Sequence, residues 1–505
     1  MRNIFVALMG FLAALPCTAV YAAAPAASSA PSSMRVDVDA RSAGTPFPHF
    51  WERMFGSGRA VLALRDDYRA DLTQVKQATD FTYVRAHGIL DDDVGVFHLD
   101  KGRPVYNFSY VDQIYDGLLA RGVKPYVELS FMPADLDSHP KAAKPLWYHL
   151  IASPPKSYAL WDGLIKAFAQ HLVQRYGIDE VSTWYFEVWN EPNIPFWNGT
   201  PAQATYFKLY DHTARDLKSV SSRLRVGGPS TAANAWVPAF LAHAHASHVP
   251  VDFVSTHAYG DPCGPVATVH RQIEASAYPH LPLILSEFNA TAFTVPDMLD
   301  SVYMGPYMAK VIQGCAGNVD MMSYWSFSDV FEEQGVVTTP FYGGYGLIAE
   351  DRIPKPAFNA FAMLHKLGDT RLPAGKGPVL ATRRRDGGIV LALWNYAPPV
   401  STKTTYAAGP AKGAGERFMV NVSHLGAVEG ATVWRLDDDH GNVIRAFDAM
   451  GRPAYPTQRQ ILALRAAARM APPDRIAVHD GRFSLEVPPQ GLVVVQLGSD
   501  MERRH

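Results

Sequence analysis

The chain has 505 residues, a length that accommodates two domains or one large domain with an appendage. Its 46 lysine and arginine residues nearly balance 48 acidic residues, and a net charge of −2 argues against a nucleic-acid-binding protein, which needs a basic surface. Hydrophobic residues make up 48% of the chain and charged residues 19%, which predicts a large core and argues against global disorder.

The N-terminal segment 1–24 has the pattern of a signal peptide. Arg2 supplies a positive charge, and residues 4–15 form an apolar run too short to span a bilayer comfortably. A stretch rich in small residues follows at 19–24. An uncleaved anchor is the alternative, and a lipoprotein attached through Cys17 is a weaker one. The Ala/Ser/Pro-rich stretch 25–33 is typical of a flexible leader. We therefore expect an exported protein, periplasmic or extracellular, that is free of the membrane after cleavage.

Residues 46–368 alternate between strand-like and helix-like segments, which predicts an α/β fold, a (β/α)8 barrel. The eight predicted strands lie at about 50–55 and at 83–87, 125–129, 184–189, 224–228, 252–257, 283–287 and 321–325. Apolar residues at helical spacing predict helices at 158–176 and 202–220. A doubly wound open sheet is the alternative, but no glycine-rich dinucleotide fingerprint follows any of the predicted strands.

The helical pattern stops at about residue 369, and a β-sandwich domain is predicted over 369–499. Strand-like runs at 387–396, 432–436 and 492–497 are separated by turns that contain glycine and proline. The strand-like segment 34–45, which precedes the barrel, is expected to join this sandwich.

Cys263 and Cys315 remain after removal of the predicted signal peptide. Export permits a disulfide between them, and two isolated buried thiols are the alternative. The chain contains no C-x-x-C pair, which argues against a structural zinc site, and no metal or cofactor is expected. Either a monomer or an oligomer is compatible with the sequence.

Two glutamates end predicted barrel strands, where the active sites of such barrels lie. Glu191 follows the fourth strand in Trp-Asn-Glu-Pro, and Glu287 ends the seventh in Leu-Ser-Glu-Phe-Asn. A pair of carboxyls can break a glycosidic bond, because one protonates the leaving oxygen while the other stabilises the anomeric carbon. We assign Glu191 as the acid/base and Glu287 as the nucleophile. Asn190 is a candidate to hydrogen-bond a sugar 2-hydroxyl.

Five motifs in order along residues 45–365 extend this pattern, at 84–88, 185–193, 255–259, 285–289 and 324–333. With them the sequence resembles glycoside hydrolase family 39, most closely its bacterial β-xylosidases. The resemblance implies a barrel followed by a β-sandwich, retention of configuration, and two carboxyl groups about 5–5.5 Å apart. It also implies a covalent glycosyl-enzyme intermediate.

The resemblance also implies substrate contacts around the two glutamates. Tyr259 is expected to hydrogen-bond the nucleophile and Trp325 to form an apolar wall under the sugar ring. Glu332 and Glu333 match acidic residues that bind sugar hydroxyls in the xylosidase branch. The complete expected set of substrate-binding residues is His87, Asn190, His257, Tyr259, Trp325, Glu332 and Glu333.

These observations predict a retaining exo-glycosidase that releases terminal β-xylose from xylo-oligosaccharides by double displacement. Another activity of the family is the first alternative: an α-L-arabinosidase, an iduronidase-like enzyme or an endo-acting exopolysaccharide hydrolase. An iduronidase-like enzyme should have basic residues in its pocket to bind the substrate carboxylate. A non-catalytic carbohydrate-binding protein is the alternative from another class.

Overall fold

The computed structural model describes residues 32–407, 409–426 and 428–498. The predicted signal peptide 1–24 lies outside these residues, and so do residues 25–31 of the predicted leader. Across the described ranges, none of the helices has both the length and the apolar character needed to cross a bilayer.

The strands, in chain order, are β1 Ser32–Asp39, β2 Thr45–Pro46, β3 Met54–Arg59, β4 Tyr83–His87, β5 Phe97–Asp100, β6 Arg103–Tyr106, β7 Lys124–Leu129, β8 Tyr185–Val188, β9 Arg225–Thr231, β10 Phe253–His257, β11 Leu283–Phe288, β12 Met321–Tyr324, β13 Ile348–Ala349, β14 Ile353–Pro354, β15 Thr370–Leu372, β16 Val379–Arg383, β17 Ile389–Trp394, β18 Glu416–Ser423, β19 Gly430–Leu436, β20 Asp474–Ala477, β21 Arg482–Val487 and β22 Leu492–Leu497. The helices are α1 Asp66–Ala78, α2 Ser109–Leu119, α3 Tyr158–Tyr176, α4 Ile178–Val181, α5 Ala202–Val220, α6 Val237–Ala246, α7 Cys263–Glu274, α8 Pro296–Leu299, α9 Met304–Cys315, α10 Pro356–Leu364, α11 Val443–Ala449 and α12 Gln458–Ala467.

Eight parallel strands close into a barrel in the order β3, β4, β7, β8, β9, β10, β11 and β12, which confirms the predicted fold. The helices α3 and α5 have the predicted bounds. The first strand differs, since β3 begins at Met54 rather than near residue 50. The apolar residues before it, Phe47, Phe50 and Trp51, are buried and pack on one another outside the strand.

Two further sheets form the accessory domain, which confirms the predicted sandwich. One sheet has seven strands in the order β2-β15-β16-β17-β22-β19-β20, and the other has three in the order β1-β18-β21. The strand β1 begins within the predicted leader, at Ser32, and pairs in parallel with β18, placing Met34 opposite Phe418. Side chains from both sheets, among them Val36 and Leu391, share one core.

The accessory domain also contains two helices, α11 and α12, so the expectation that helices end at residue 369 was wrong. Each is short, and their apolar residues form a small cluster of their own that includes Phe447 and Leu464. Helices of seven and ten residues give too few repeats for a clear helical pattern in the sequence.

The two remaining cysteines form a disulfide, which resolves the alternative between a bond and free thiols. Cys263 begins α7 and Cys315 ends α9, with their Cα atoms 4.7 Å apart. The bond therefore ties together two helices on the outside of the barrel.

Candidate active site

A cavity of about 750 Å³ opens at the carboxyl ends of the barrel strands. Seven of the predicted site residues line it: His87, Asn190, Glu191, Tyr259, Glu287, Trp325 and Glu333. The volume lies within the range of about 300–1,000 Å³ that is typical of small-ligand sites. The cavity can therefore hold a sugar residue and part of the group attached to it.

Glu287 lies near the end of β11, and two donors hold its carboxylate. Arg85 Nη1 is 2.7 Å from Oε1, and the Tyr259 hydroxyl donates to Oε2 at 2.7 Å. Burial raises the pKa of Glu287, an effect that the positive charge of Arg85 opposes. The two contacts fix the position of the carboxylate while it remains at the cavity wall.

Glu191 follows β8 on a turn in which its own φ is +44°, an uncommon conformation for a side chain of this type. Its backbone N–H donates to the Ser230 carbonyl at 2.8 Å, and its Oε1 is 3.0 Å from His257 Nδ1. Burial raises the pKa of Glu191 to about 7, so the carboxyl holds its proton close to neutral pH.

His257, at the end of β10, lies behind the cavity surface between the two glutamates. Its Nδ1 is 3.6 Å from Glu287 Oε2, in addition to the contact with Glu191. Burial lowers the pKa of His257 to about 4, so the ring is neutral. The Ser230 hydroxyl accepts from Arg85 Nη2 at 3.3 Å and lies 3.4 Å from His257 Nε2. The hydroxyl proton is thus free for Nε2, and Nδ1–H donates to Glu191.

The two glutamates are close enough for a double-displacement reaction. Glu191, His257 and Glu287 each offer a nitrogen or oxygen atom within 4.8 Å of the other two. Retaining enzymes place their carboxyls about 5–5.5 Å apart, whereas inverting enzymes leave about 6.5–9.5 Å for a water molecule. The spacing fits the retaining arrangement.

Arg85, in the middle of β4, is a residue that the sequence reasoning missed. Its guanidinium is fully buried and contacts Glu187 at 2.6 Å, Glu128 and Glu287 at 2.7 Å, and the Asn190 side-chain oxygen at 2.9 Å. Burial opposes the charge, but the three carboxylates raise the pKa of Arg85 well above its ordinary range. The sequence did contain a signal for this residue, because charged residues occur inside otherwise apolar strands. Burying a charge is energetically unfavourable unless it is paired.

His87 and Trp325 form the wall next to Glu287. His87 Nδ1 is 2.7 Å from Glu128, and its Nε2 is 3.4 Å from Glu333. Burial opposes the positive charge of His87, but Glu128 raises its pKa to about 10. The Trp325 ring packs against His87 with the ring centroids 4.7 Å apart and presents an apolar face to the cavity.

Glu332 does not line the cavity, so its predicted contact with a sugar hydroxyl has no support in the structure. Its two carboxylate oxygens instead pair with Arg59 at 2.9 Å and with Arg65 at 2.5 Å. The backbone at Glu332 has φ +65°, and the turn directs this side chain and that of Glu333 to different surroundings. Sequence adjacency alone could not separate the two.

Comparison with known proteins assigns most of the chain to the same family that the sequence motifs resemble. The sequence model of glycosyl hydrolases family 39 matches residues 34–479. A β-xylosidase of Geobacillus stearothermophilus is 36% identical over 87% of this chain and 90% of its own length, and one of Caldicellulosiruptor saccharolyticus is 36% identical over 83% and 88%. The structure of a family 39 β-xylosidase from Caulobacter crescentus superposes with a TM-score of 0.82 and 35% identity, covering 92% of this chain and all of that one. The chain belongs to glycosyl hydrolases family 39 and is a retaining glycoside hydrolase.

Proposed function

We propose that the protein releases terminal β-xylose from xylo-oligosaccharides, with Glu287 as the nucleophile and Glu191 as the acid/base. One observation carries the assignment of roles. Arg85 and Tyr259 each donate a hydrogen bond to a different oxygen of Glu287, while Glu191, one of whose carboxylate oxygens lies within 4.8 Å of a Glu287 oxygen, has its pKa raised to about 7. Two carboxyls whose surroundings differ in this way are suited to different tasks.

In the first step, a Glu287 oxygen attacks the anomeric carbon and Glu191 gives its proton to the leaving oxygen. The C–O bond to the leaving group breaks as the bond to Glu287 forms, which gives a covalent xylosyl-enzyme and a free alcohol. Tyr259 and Arg85 orient the carboxylate through its two oxygens. Because these donors are already in place, little reorganisation is needed at the moment of reaction.

In the second step, the Glu191 carboxylate removes a proton from water as the water attacks the anomeric carbon. The bond to Glu287 breaks, and xylose leaves with its original configuration. His257 Nδ1–H, 3.0 Å from Glu191, can hydrogen-bond the charged carboxylate that acts as base.

The charges around the cavity favour a neutral sugar over iduronate. Within the described part of the chain, no lysine or arginine lines the cavity. The cationic side chain in its wall is His87, and Glu128 and Glu333 already face it. A substrate carboxylate would lie near Glu333 without a free cation to pair with it, which is unfavourable. The β-xylosidase names of the similar proteins support the same choice.

The test compares an aryl β-xyloside, an aryl α-L-arabinoside and an aryl α-L-iduronide as substrates, together with xylobiose. We expect the xyloside and xylobiose to be cleaved fastest, and Glu287→Ala to lose turnover. Azide should restore reaction of Glu287→Ala and give a glycosyl azide of inverted configuration. The control is Glu274→Ala, which removes an exposed carboxylate on α7 and should leave turnover unchanged.

Other outcomes would lead to the alternatives. Faster cleavage of the arabinoside or the iduronide would refute the assignment of xylose. Failure of the folded wild type to cleave any of these compounds would refute exo-action and favour polysaccharide substrates or a binding role. Full activity in Glu287→Ala would refute the assignment of the nucleophile.

We also propose that the enzyme works outside the cytoplasm. The disulfide between Cys263 and Cys315 supports this, because such bonds persist in oxidising compartments. Fractionation of a bacterial host that expresses the full chain should find activity in the periplasm or the medium, on a protein that has lost its N-terminal segment. Activity confined to the cytoplasm, on an uncleaved chain, would refute export.

A further inference from the structure

A second cluster of potential metal-ligating side chains lies at the opposite end of the barrel from the active site. His49 and Glu52 precede β3, and His365 follows α10; each offers a ligand atom within 4.8 Å of the other two. A cavity of about 810 Å³ opens beside them, also lined by Arg53 and Thr82 at the amino ends of β3 and β4. The cluster is therefore separate from Glu191 and Glu287.

Glu52 is the centre of this cluster and is 1% exposed. Its Oε1 is 2.6 Å from His49 Nδ1 and 2.8 Å from His365 Nδ1. Its Oε2 is buried and has no hydrogen-bond partner among the described residues. A buried carboxylate oxygen without a partner calls for an explanation such as a bound ion.

The second nitrogen of His49 fixes which nitrogen is available for a ligand. His49 Nε2 is 2.9 Å from the Leu367 carbonyl oxygen, and a carbonyl can only accept a hydrogen bond. Nε2 therefore carries a proton of its own, and Nδ1 becomes a ligand when an ion displaces the proton that it shares with Glu52 Oε1 at 2.6 Å. A ligating histidine usually has its other N–H donated to a carbonyl or carboxylate in this way.

We propose that His49, Glu52 and His365 bind a divalent transition-metal ion through the two Nδ1 atoms and the Glu52 carboxylate. Two imidazoles and one carboxylate suit Zn²⁺ and similar ions rather than Ca²⁺ or Mg²⁺, which prefer oxygen ligands. The contacts of 2.6 and 2.8 Å between Glu52 Oε1 and the two Nδ1 atoms need to widen only modestly to admit an ion with ligand bonds of about 2.0–2.2 Å. All three side chains line the cavity, so water can reach a fourth coordination position.

The ion would fasten two distant parts of the sequence at the junction between the domains. Its ligands lie on the segment that enters β3 and at the end of α10, five residues before β15 of the sandwich begins. A ligand that binds the folded chain but not the unfolded chain raises the apparent stability. Bound zinc should therefore raise the melting temperature of the full-length protein.

The experiment measures zinc per chain and the melting temperature after loading with ZnCl₂ and dialysis. The variants are His365→Gln and His49→Gln, and the matched control is His270→Gln, which removes an exposed histidine 3.4 Å from Glu274 on α7. We expect the wild type and His270→Gln to retain one zinc more per chain than the two cluster variants, whose affinity should fall at least about tenfold. Zinc should raise the melting temperature of the wild type and of His270→Gln only.

Several results would overturn the proposal. Equal zinc in the wild type and His365→Gln would do so, even if Zn²⁺ binds elsewhere, for example at Glu191, His257 and Glu287. A wild type without retained zinc, or an equal temperature shift in all the variants, would also do so. A far-UV circular dichroism spectrum like that of the wild type and a cooperative melting transition without added metal verify that each variant is folded. Because the readouts are bound zinc and melting temperature, they do not depend on the proposed function.

Discussion

Replacing Glu191 by alanine should remove the decline of activity at alkaline pH, because one carboxyl sets that decline. In the wild type, burial raises the pKa of Glu191 from 4.5 to about 7, against the opposing charges of His87 and Arg85. At about 1.4 kcal/mol for each unit of pKa, this favours the protonated carboxyl by about 3 kcal/mol. The acid is thus available at neutral pH and is lost above it.

The size of the decline follows from the fraction of Glu191 that remains protonated. With a pKa of about 7, roughly 1% of the molecules keep this proton at pH 9, so kcat/KM for xylobiose should fall about a hundredfold from its maximum. On the acidic side, the reaction requires Glu287 to be a carboxylate, and burial raises the pKa of this group above 4.5. As the pH is lowered, activity should therefore begin to fall before pH 4.5 is reached. The acidic and alkaline limbs of the profile report apparent pKa values that belong to Glu191 and Glu287 as an interacting pair.

The assay compares xylobiose with an aryl β-xyloside whose leaving group needs no proton. Glu191→Ala should lose most activity on xylobiose, retain formation of the glycosyl-enzyme from the aryl substrate, and show no alkaline limb in kcat/KM for that substrate. The control Glu274→Gln changes a glutamate that is 57% exposed in its side chain and should keep the wild-type profile. An alkaline limb that persists in Glu191→Ala, or a wild-type profile that is flat to pH 9, would refute the reasoning.

Two further predictions concern the support of the site. In Gly56→Ala, the new Cβ would lie 2.1 Å from Trp325 Cε3, so the ring must move. Displacement by about 1 Å should lower kcat/KM about a hundredfold, and unchanged kinetics would contradict this. In Lys355→Met, Asp300 and Asp329 lose a buried partner at 2.8 and 2.6 Å, which should lower the free energy of unfolding by about 3–5 kcal/mol at pH 8 in urea denaturation. Burial raises the pKa of both aspartates, so at pH 5 their protonation removes the unpaired charges and the loss of unfolding free energy should be smaller than at pH 8. Equal losses at the two pH values would contradict this explanation.

The sequence predicted the barrel well because parallel strands buried on both faces are continuous apolar runs. β4 coincides with the predicted segment, and β7 and β11 differ from theirs by one residue. Glu191 and Glu287 were also identifiable, since a polar residue at the end of such a strand faces the cavity. The error at β3 has the same origin, because Phe50 and Trp51 are apolar but pack beneath the strand.

The supporting contacts were not predictable from the sequence, because they depend on which side chains meet inside the closed barrel. Arg85 and Glu187 are 102 positions apart in the chain but lie 2.6 Å from each other. Glu332 and Glu333 show the opposite case, since the adjacent residues pair with different partners. Spacing along one strand indicates the direction of a side chain, but the partner comes from another strand.

The buried charges also explain how Glu191 can serve as acid and then as base. Two cations, Arg85 and His87, face the carboxylates of Glu128, Glu187 and Glu287. Burial is the main cause of the raised pKa of Glu191, and the negative charge of Glu287, with a carboxylate oxygen within 4.8 Å of one on Glu191, makes ionisation of Glu191 still less favourable. When Glu287 becomes an ester in the glycosyl-enzyme, it loses that charge, and the two cations then face two carboxylates. The pKa of Glu191 must fall at this stage, which releases the carboxylate needed to activate water in the second step.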